Sequence, residues 1–520
     1  MSLSRAIGRQ TVRLFAGTLL AKGLDFVLYL LLARTLGVEQ FGRYTFALSF
    51  TLLFNALGDL GLSTVFTREV SRAPERVREL LRPCLALKLV LSVITMLAVL
   101  VAARSGPGGG ESLALVVPIV AGMLLNSAAL VFDGLLRAAG RAGRSGLNLT
   151  VQSVTALACG AALLGFGLGP LAGAYAFLAG AIVRTISALA WSRDLWLTPK
   201  GAKPVDSSIA DVAANFAKAG DATSADVAAT TPLPPTPLAL LREAVPLALS
   251  GIFIAIYFRI DAVVLRALHG DQAVGLYAGV YRMFEAFAIL AVTFRSVLFP
   301  VMARAADGPA GSLGVLCRKS IRLHLLFTFG VAVFFTFEAP AIVRAVLGPD
   351  YAAAAPALAI LIWALPGSYM ADTMLFLLTA QRRQSLGTWA VGITATANVI
   401  LNLVLVPRFS FLGSSAATVA SEWLSFALLF AMFQRAAPGP GLGGVVWRPV
   451  VAGGVLAAGL AATSSWGPDG VAGIAIAGIA SMTAYTLVLI GLGAIGREDL
   501  QLLRSLIPAR AQSAPGETPS

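Results

Sequence analysis

The segment Tyr257–Tyr277, YFRIDAVVLRALHGDQAVGLY, places two charged residues inside an apolar stretch of the chain. It follows the apolar run PLALSGIFIAI, so Arg259 and Asp261 fall where a membrane-spanning helix would keep them away from bulk water. Residues two positions apart point to opposite faces of a helix, so these two side chains cannot neutralise each other. A charge inside the membrane without a local partner indicates a functional site.

The composition of the whole chain predicts an integral membrane protein. Of its 520 residues, 57% are hydrophobic and only 12% are charged, whereas soluble proteins carry about a quarter of charged residues. The formal net charge of +13 fits cytoplasmic loops rich in Lys and Arg and requires no nucleic-acid partner. Three scattered Cys and two distant His match no disulfide framework or metal-ligand spacing, so no metal site is predicted.

Hydropathy predicts about fourteen membrane-spanning helices of about 20 residues each. Between the sixth and the seventh lies a segment rich in Ala, Asp, Thr and Pro, which is typical of a flexible linker. The predicted spans lie near 14–36, 43–66, 84–103, 113–136, 147–168 and 171–192 before the linker (193–240), and near 241–268, 274–303, 321–347, 353–379, 386–406, 413–434, 446–465 and 470–495 after it.

Part of the opening segment has a counterpart earlier in the chain. LRALHGDQAVGLY (Leu265–Tyr277) resembles ARTLGVEQFGRY (Ala33–Tyr44), with Arg, Leu, Gly, an acidic residue, Gln and Gly-x-Tyr in the same order. A second echo pairs GRAGRS, before span five, with QRRQS, before span eleven. Two echoes in register predict two related six-span halves around an axis along the membrane normal.

The predicted fold is therefore an all-α polytopic membrane protein with about fourteen transmembrane helices. Two six-helix lobes, 1–192 and 241–435, are joined by the linker, and 436–496 adds spans thirteen and fourteen. Residues 497–520 form the tail. Lys and Arg crowd alternate loops, which predicts that both termini, the linker and the tail are cytoplasmic. The outside segments hold only Arg34, Arg43, Arg104, Arg266, Arg344 and Arg408.

Other charges within the spans have candidate partners on their own helix. Lys22 and Asp25 are three residues apart on span one, and Arg282 and Glu285 have the same spacing on span eight. Such pairs share a helix face and can form ion pairs. Lys88 is predicted to extend its amine to the inner headgroups.

Arg259 and Asp261 require separate partners because they point to opposite faces. We expect Arg259 to face a cavity and Asp261 to bind a neighbouring helix, although the spacing leaves the reverse open. Arg184 on span six has no counter-charge three or four residues away, which makes it a further cavity candidate.

The stretches LLARTLGVEQFGRYTFALSFTLLFNALGDLGLSTVFTREVSR (Leu31–Arg72) and FRIDAVVLRALHGDQAVGLYAGVYRMFEAF (Phe258–Phe287) resemble the openings of the two halves of bacterial polysaccharide flippases. These proteins belong to the multidrug/oligosaccharidyl-lipid/polysaccharide (MOP) exporter superfamily. The resemblance covers about residues 10 to 495. It implies two six-helix lobes around a central cavity, and the long linker departs from the compact central loop expected for the family.

The resemblance also implies an activity: alternating-access movement of a lipid-linked oligosaccharide across the bacterial cytoplasmic (inner) membrane. The product would serve surface polysaccharide assembly, such as lipopolysaccharide or exopolysaccharide, with membrane lipids and glycan-assembly proteins as partners. A phosphate or pyrophosphate joins lipid to glycan in such substrates, and Arg matches phosphate oxygens with a planar fork of donors. The candidate binding residues are Arg259, Arg282, Lys22 and Arg184. Asp25, Asp261, Glu285 and Glu422 are structural partners or sites for coupling to protons or sodium, and no other cofactor is expected.

Three alternatives remain open from the sequence. A multidrug exporter and a flippase for the peptidoglycan precursor, lipid II, share the same superfamily. A glycan polymerase or ligase would need catalytic groups in a sizeable outer loop, and the longest one here, ARSGPGGGES, holds only Arg104 and Glu111. No GxxxxGK[ST] loop is present, so ATP hydrolysis by this chain is not expected. We therefore predict a transporter and not an enzyme.

The topology can be tested on the linker. A reporter fused after Pro235 should be active in the cytoplasm, because the positive-inside rule places the linker there. In a cysteine-free background, Ala225→Cys should resist a membrane-impermeant thiol reagent added to the periplasm, whereas Gly108→Cys in an outer loop should react. Labelling of Ala225→Cys would contradict both the topology and the repeat.

Overall fold

The computed structural model describes residues 3–105, 113–197, 236–306, 311–381, 383–436, 443–462 and 470–494. Most of the predicted linker, 193–240, and all of the tail, 497–520, lie outside these residues. The described part of the chain is helical and has no strand. Its α-helices are α1 (Leu3–Leu53), α2 (Asn55–Asp59), α3 (Leu62–Arg72), α4 (Val77–Ser105), α5 (Leu113–Ala138), α6 (Ala142–Gly165), α7 (Leu171–Leu197), α8 (Pro237–Ala306), α9 (Ser312–Val346), α10 (Ala355–Leu361), α11 (Ala364–Ala380), α12 (Gln384–Ala436), α13 (Gly443–Ala462) and α14 (Gly470–Gly491).

The described helices confirm an all-α polytopic membrane protein. Nine of them are long and apolar enough to cross a membrane, and the pair Pro349–Leu361 and Ala364–Ala380, bent by 43°, can supply a tenth crossing. Three long helices contain a residue with non-helical dihedral angles: Gly37 in α1, Gly270 in α8 and Ser410 in α12. Helix α8 is not among the nine. The breaks divide α1, α8 and α12 into two segments each, which lie at the places of six predicted spans.

The two breaks at Gly37 and Gly270 lie at matching positions of the predicted repeat. Both glycines have φ near +70° and an extended ψ (φ 71°, ψ 173° and φ 77°, ψ −172°), a conformation open mainly to glycine. Each lies in the echoed sequence, and each turns the chain from one span into the next. The same backbone geometry therefore occurs at matching positions of the two halves.

The halves cross at a reciprocal backbone contact next to these turns. A Cβ built on Gly42 would lie 1.8 Å from the carbonyl oxygen of Asp271, and one built on Gly275 would lie 2.0 Å from that of Val38. The repeat relates these two contacts to each other, because Gly42 corresponds to Gly275 and Val38 corresponds to Asp271. Only glycine lets the two backbones approach this closely.

Helix packing follows the two halves. In the first half, α1 packs on α6, α6 on α7 and α5 on α7; in the second, α8 and α11 pack on α12. Helices α1 and α8 share an extensive interface, so they form the seam between the halves. Helices α13 and α14 pack on α9 and on each other, at the side of the second half.

The predicted second span, 43–66, is not one continuous helix. Helix α1 ends at Leu53, α2 is a single turn, and α3 begins at Leu62 after left-handed Leu60 (φ 44°) and Gly61 (φ 76°). An interrupted helix at membrane depth leaves backbone groups that need partners inside the protein. Ser127 supplies one, because its hydroxyl donates to the carbonyl oxygen of Gly58 at 3.2 Å.

The crossing can be tested with single alanines. Gly42→Ala and Gly275→Ala should each lower the thermal stability of the purified protein, because overpacking a close contact costs about 1–3 kcal/mol. Gly23→Ala, on the same helix as Gly42, is the matched control: a Cβ there meets nothing within 4 Å, and alanine favours helix by about 1 kcal/mol. Equal melting temperatures for Gly42→Ala and Gly23→Ala would rule out a tight crossing.

Candidate functional site

A small cavity lies in the seam between the halves and contains the charges of the opening segment. Its volume is about 30 Å³, which is roughly the volume of one water molecule in the liquid. Helix α1 contributes its wall from one half, and both parts of α8 contribute the wall from the other. The lining residues are Tyr29, Thr45, Leu48, Ser49, Phe258, Arg259, Asp261, Ala262, Tyr277, Ala278, Tyr281, Arg282 and Glu285.

Arg259 and Asp261 have different surroundings in this cavity. Asp261 is 5% exposed; its carboxylate accepts a hydrogen bond from the Ala262 N–H at 2.7 Å and one from the Tyr277 hydroxyl. Tyr277 follows the break at Gly270, so Asp261 joins spans seven and eight. Arg259 is half-buried, and no described carboxylate lies within 4.0 Å of it. Asp261 therefore has hydrogen-bond partners, whereas Arg259 interacts with Asp261 only at longer range and has no ion pair within 4.0 Å among the described residues.

Arg282 contacts Glu285 and Tyr29. Its Nη1 lies 2.6 Å from Oε2 of Glu285, which confirms the predicted pair on span eight. Its guanidinium stacks 4.3 Å above the centre of the Tyr29 ring, a cation–π contact across the seam. Tyr29 in turn donates its hydroxyl to the carbonyl oxygen of Ala278 at 3.0 Å. Arg282 therefore links the halves as well as lining the cavity.

Lys22 and Asp25 lie outside the cavity, on the same face of α1 as Tyr29. They precede Tyr29 by seven and four residues, so they sit about two and one helical turns from it, toward the predicted inner end. Both side chains are exposed, and no ion pair within 4.0 Å joins them, so the predicted Lys22–Asp25 pair is wrong. Exposed pairs gain little from contact, and Asp25 interacts electrostatically with Arg282 instead.

Arg184 is not among the cavity residues. It is 8% exposed and pairs with Asp133 of α5, with Nη2 2.8 Å from Oδ2. Its Nη1 donates to Asn126 at 3.1 Å and to Gln152 at 3.2 Å, so the charge is fully engaged inside the first half. Asn148 completes the cluster by donating to Asp133 at 3.0 Å. These amides bind other helices rather than facing the cavity.

Glu422 is also buried away from the cavity lining. Its side chain is on α12, 7% exposed, and interacts with Tyr257 of α8 and with Asp372 of α11. It therefore sits where three helices of the second half meet. Among the residues that the structure describes, no three His, Cys, Asp or Glu side chains come together at a spacing that could hold a metal ion.

Lys88 is a buried charge whose surroundings were not predicted from the sequence. It is 3% exposed, so the prediction that it reaches the headgroups is wrong. Its Nζ lies 2.5 Å from Oδ1 of Asp59 and from the Ser127 carbonyl oxygen, and 2.9 Å from Oγ of Ser127. Asp59 ends the single turn of α2, so the ammonium binds the broken part of span two. The available signal was Asp59 itself, an acid in an apolar span beside Gly58 and Gly61.

Contacts between the halves close the seam on both sides of the cavity. At the predicted outer end, next to the Gly42 crossing, Asp271 lies 3.5 Å from Nε of Arg43 across the seam and 2.8 Å from Nε of Arg266 on its own helix. At the predicted inner end, Nη2 of Arg68 lies 2.8 Å from Oε1 of Glu243. Since α3 carries Arg68 and α8 carries Glu243, this ion pair joins the two halves.

Comparisons with known proteins agree with this architecture. The family model described as "Polysaccharide biosynthesis protein" matches residues 7–306, and the one described as "Lipid II flippase MurJ" matches residues 239–490. A search of curated protein sequences found no match.

Three solved structures have a similar fold. Lipid II flippase MurJ in an inward closed conformation superposes with a TM-score of 0.72 at 14% identity, covering 94% of this chain and 99% of that one. An inward-facing MATE multidrug resistance transporter gives 0.61 at 17% identity, covering 80% and 94%. A MOP superfamily transporter from Pyrococcus furiosus gives 0.56 at 17%, covering 84% and 96%.

Identities this low establish the fold alone, whereas the first family model covers more than half of the chain. That match shows that the chain belongs to the polysaccharide biosynthesis protein family.

Proposed function

We propose that this protein is a flippase that carries a lipid-linked oligosaccharide across the bacterial cytoplasmic membrane for surface polysaccharide synthesis. The observation that carries the proposal is Arg259, a cation at the seam between two helical halves that makes no ion pair within 4.0 Å with any carboxylate the structure describes. A charge within a membrane protein is expensive to leave uncompensated unless it serves a ligand or a pathway. An anionic group of a substrate bound at the seam would neutralise the charge of Arg259.

The phosphate or pyrophosphate of a polyprenyl-linked glycan suits this position. A guanidinium donates two parallel hydrogen bonds to phosphate oxygens and stays charged in a low dielectric. Arg282 can add a second cation from the same wall, since its pair with Glu285 leaves part of its fork facing the cavity. The glycan itself requires a hydrated route, because each hydroxyl stranded in hydrocarbon costs about 4–8 kcal/mol on the cyclohexane scale.

The narrow seam supports transport by alternating access. A cavity of about 30 Å³ cannot hold a sugar, so the halves 1–192 and 241–435 have to separate on one side at a time. With the termini in the cytoplasm, Arg68–Glu243 is the contact that opens to admit substrate, and Arg43–Asp271 is the contact that opens to release it. Lys22, exposed on α1 toward the inner side, is then the first cation met on the way to Arg259. Asp25, Asp261, Glu285 and Glu422 are the carboxylates through which proton or sodium coupling would act.

A lipid II flippase is the second candidate, favoured by the MurJ family match over residues 239–490 and by the similarity to MurJ. Removing the protein from its host separates the candidates. Loss of surface polysaccharide with a lipid-linked glycan trapped on the cytoplasmic side supports our proposal. Accumulation of lipid II with cell lysis supports the alternative, and intact surface glycan with new sensitivity to cationic dyes indicates a multidrug exporter.

Substitutions of Arg259 test its role in the same strain. Arg259→Ala should lower polysaccharide export at least tenfold, because loss of a charge-assisted hydrogen bond costs about 1.5–3 kcal/mol. Arg259→Lys keeps the charge but loses the fork, so export should fall less steeply, and Arg259→Glu should abolish it. Membrane levels should stay near wild type.

Arg408→Ala is the matched control. Arg408 is exposed on α12 and remote from the cavity lining, so its loss should leave export within about twofold, as for most exposed sites. Normal export by Arg259→Ala, at normal protein levels, would remove the central residue of the proposal.

A further inference from the structure

A second and larger cavity lies outside the seam, between α1 and α6 at the predicted inner end. Its volume is about 720 Å³, within the range of small-ligand sites. We call it the α1–α6 groove. It is open to the surroundings, and one of its walls is the helix face formed by Gln10, Arg13 and Gly17, which recur at helical spacing. None of the seam residues described above lines it.

The floor of the groove is a rigid crossing of backbones. A Cβ on Gly17 would lie 2.6 Å from the Gly146 carbonyl group, so the two helices touch there without side chains. Thr150 donates its hydroxyl to the carbonyl oxygen of Gly17 at 3.0 Å. The N–H of Gly143 donates to Oε1 of Gln10 at 3.0 Å. These hydrogen bonds hold α1 and the start of α6 together, so the shape of the groove is built into the fold.

The groove carries an excess of positive charge. Its lining includes Arg13, Arg141 and Arg144. One described carboxylate, Asp194, forms an ion pair with Arg141 at 2.6 Å. Arg144 reaches a backbone carbonyl at 3.4 Å, and Arg13 makes no ion pair with any described residue. Asp194 also attracts Arg144 at longer range, so three guanidiniums share one described carboxylate. They lie beside the N-terminus of α6, whose dipole adds further positive potential.

The apolar part of the groove lies on the membrane side of the arginines. Leu20 and Leu147 line it and are 54% and 50% exposed. Leu20 follows Arg13 by seven residues on α1, and Leu147 follows Arg144 by three on α6, so each leucine sits one or two turns deeper in the membrane. A cationic end at the interface and an apolar end in the bilayer match a lipid with an anionic headgroup.

We propose that the α1–α6 groove binds the phosphate headgroup of a lipid in the inner leaflet, with Arg13 and Arg144 as its ligands. The phosphate lies between the two guanidiniums, and the hydrocarbon chain follows Leu20 and Leu147 along the helices. This site is separate from the seam and does not depend on the proposed transport activity. Its chemistry is shared by anionic phospholipids and by polyprenyl phosphates.

Lipid binding to the purified full-length protein tests the proposal. Native mass spectrometry would measure retention of phosphatidylglycerol, undecaprenyl phosphate and zwitterionic phosphatidylcholine. We expect either anionic lipid to bind at least about tenfold more tightly than phosphatidylcholine, as paired charge-assisted contacts allow. Arg13→Ala/Arg144→Ala should remove most of that preference. Both arginines are exposed, so the variant should fold, and its melting temperature verifies this.

Arg82→Ala/Arg435→Ala is the matched control, because it removes two exposed arginines at the same end of the protein but outside the groove. It should keep binding within about twofold, as expected for exposed sites. Equal losses of anionic-lipid binding in both double variants would show that general surface charge causes the effect, and this would overturn the site. No loss of binding in either variant would overturn it as well. Preference for undecaprenyl phosphate would identify a carrier-lipid site, and preference for phosphatidylglycerol a structural phospholipid site.

Discussion

The energetic cost of removing a charge from water governs the interior of this protein. Buried ions are tolerated when a partner and hydrogen bonds replace their hydration. Arg184 has Asp133, Lys88 has Asp59, and Arg282 has Glu285. Arg184–Asp133 and Lys88–Asp59 each join two helices, and Arg282–Glu285 lines the seam cavity. Arg259, which forms no ion pair within the part of the chain that the structure describes, is the exception on which the proposed function rests.

The backbone crossing at Gly42 and Gly275 determines where that exception lies. Because α1 and α8 meet there without side chains, both helices run from one fixed point toward the predicted inner end. Tyr29 and Arg282 then face each other across the seam at 4.3 Å, and Arg259 lines the same cavity. The crossing at one end and the ion pair Arg68–Glu243 at the other join the two halves.

Features set by local sequence could be predicted. The helical fold followed from hydropathy, and the repeat followed from echoed turns whose glycines adopt matching angles. The Arg282–Glu285 pair followed from helical spacing. Partners on other helices could not be predicted, because spacing along one helix contains no information about its neighbours. Lys88 and Arg184 were therefore misplaced, whereas the absence of a local partner for Arg259 was visible in the sequence. The break in span two depends on the contacts of Asp59 and Ser127. An average of hydropathy over a window of residues does not detect such contacts.

Translocation by the purified protein is the most direct measurement of the role assigned to Arg259. Proteoliposomes would hold a fluorescent polyprenyl-pyrophosphate oligosaccharide, and a glycosidase added outside would digest only glycans in the outer leaflet. With wild-type protein, digestion should proceed beyond the fraction initially exposed, toward completion. With Arg259→Ala it should stop near that initial fraction, as in protein-free vesicles, while Arg408→Ala behaves as wild type. Equal digestion with wild-type and Arg259→Ala protein would contradict the role of Arg259, and a plateau with both would contradict the flippase itself.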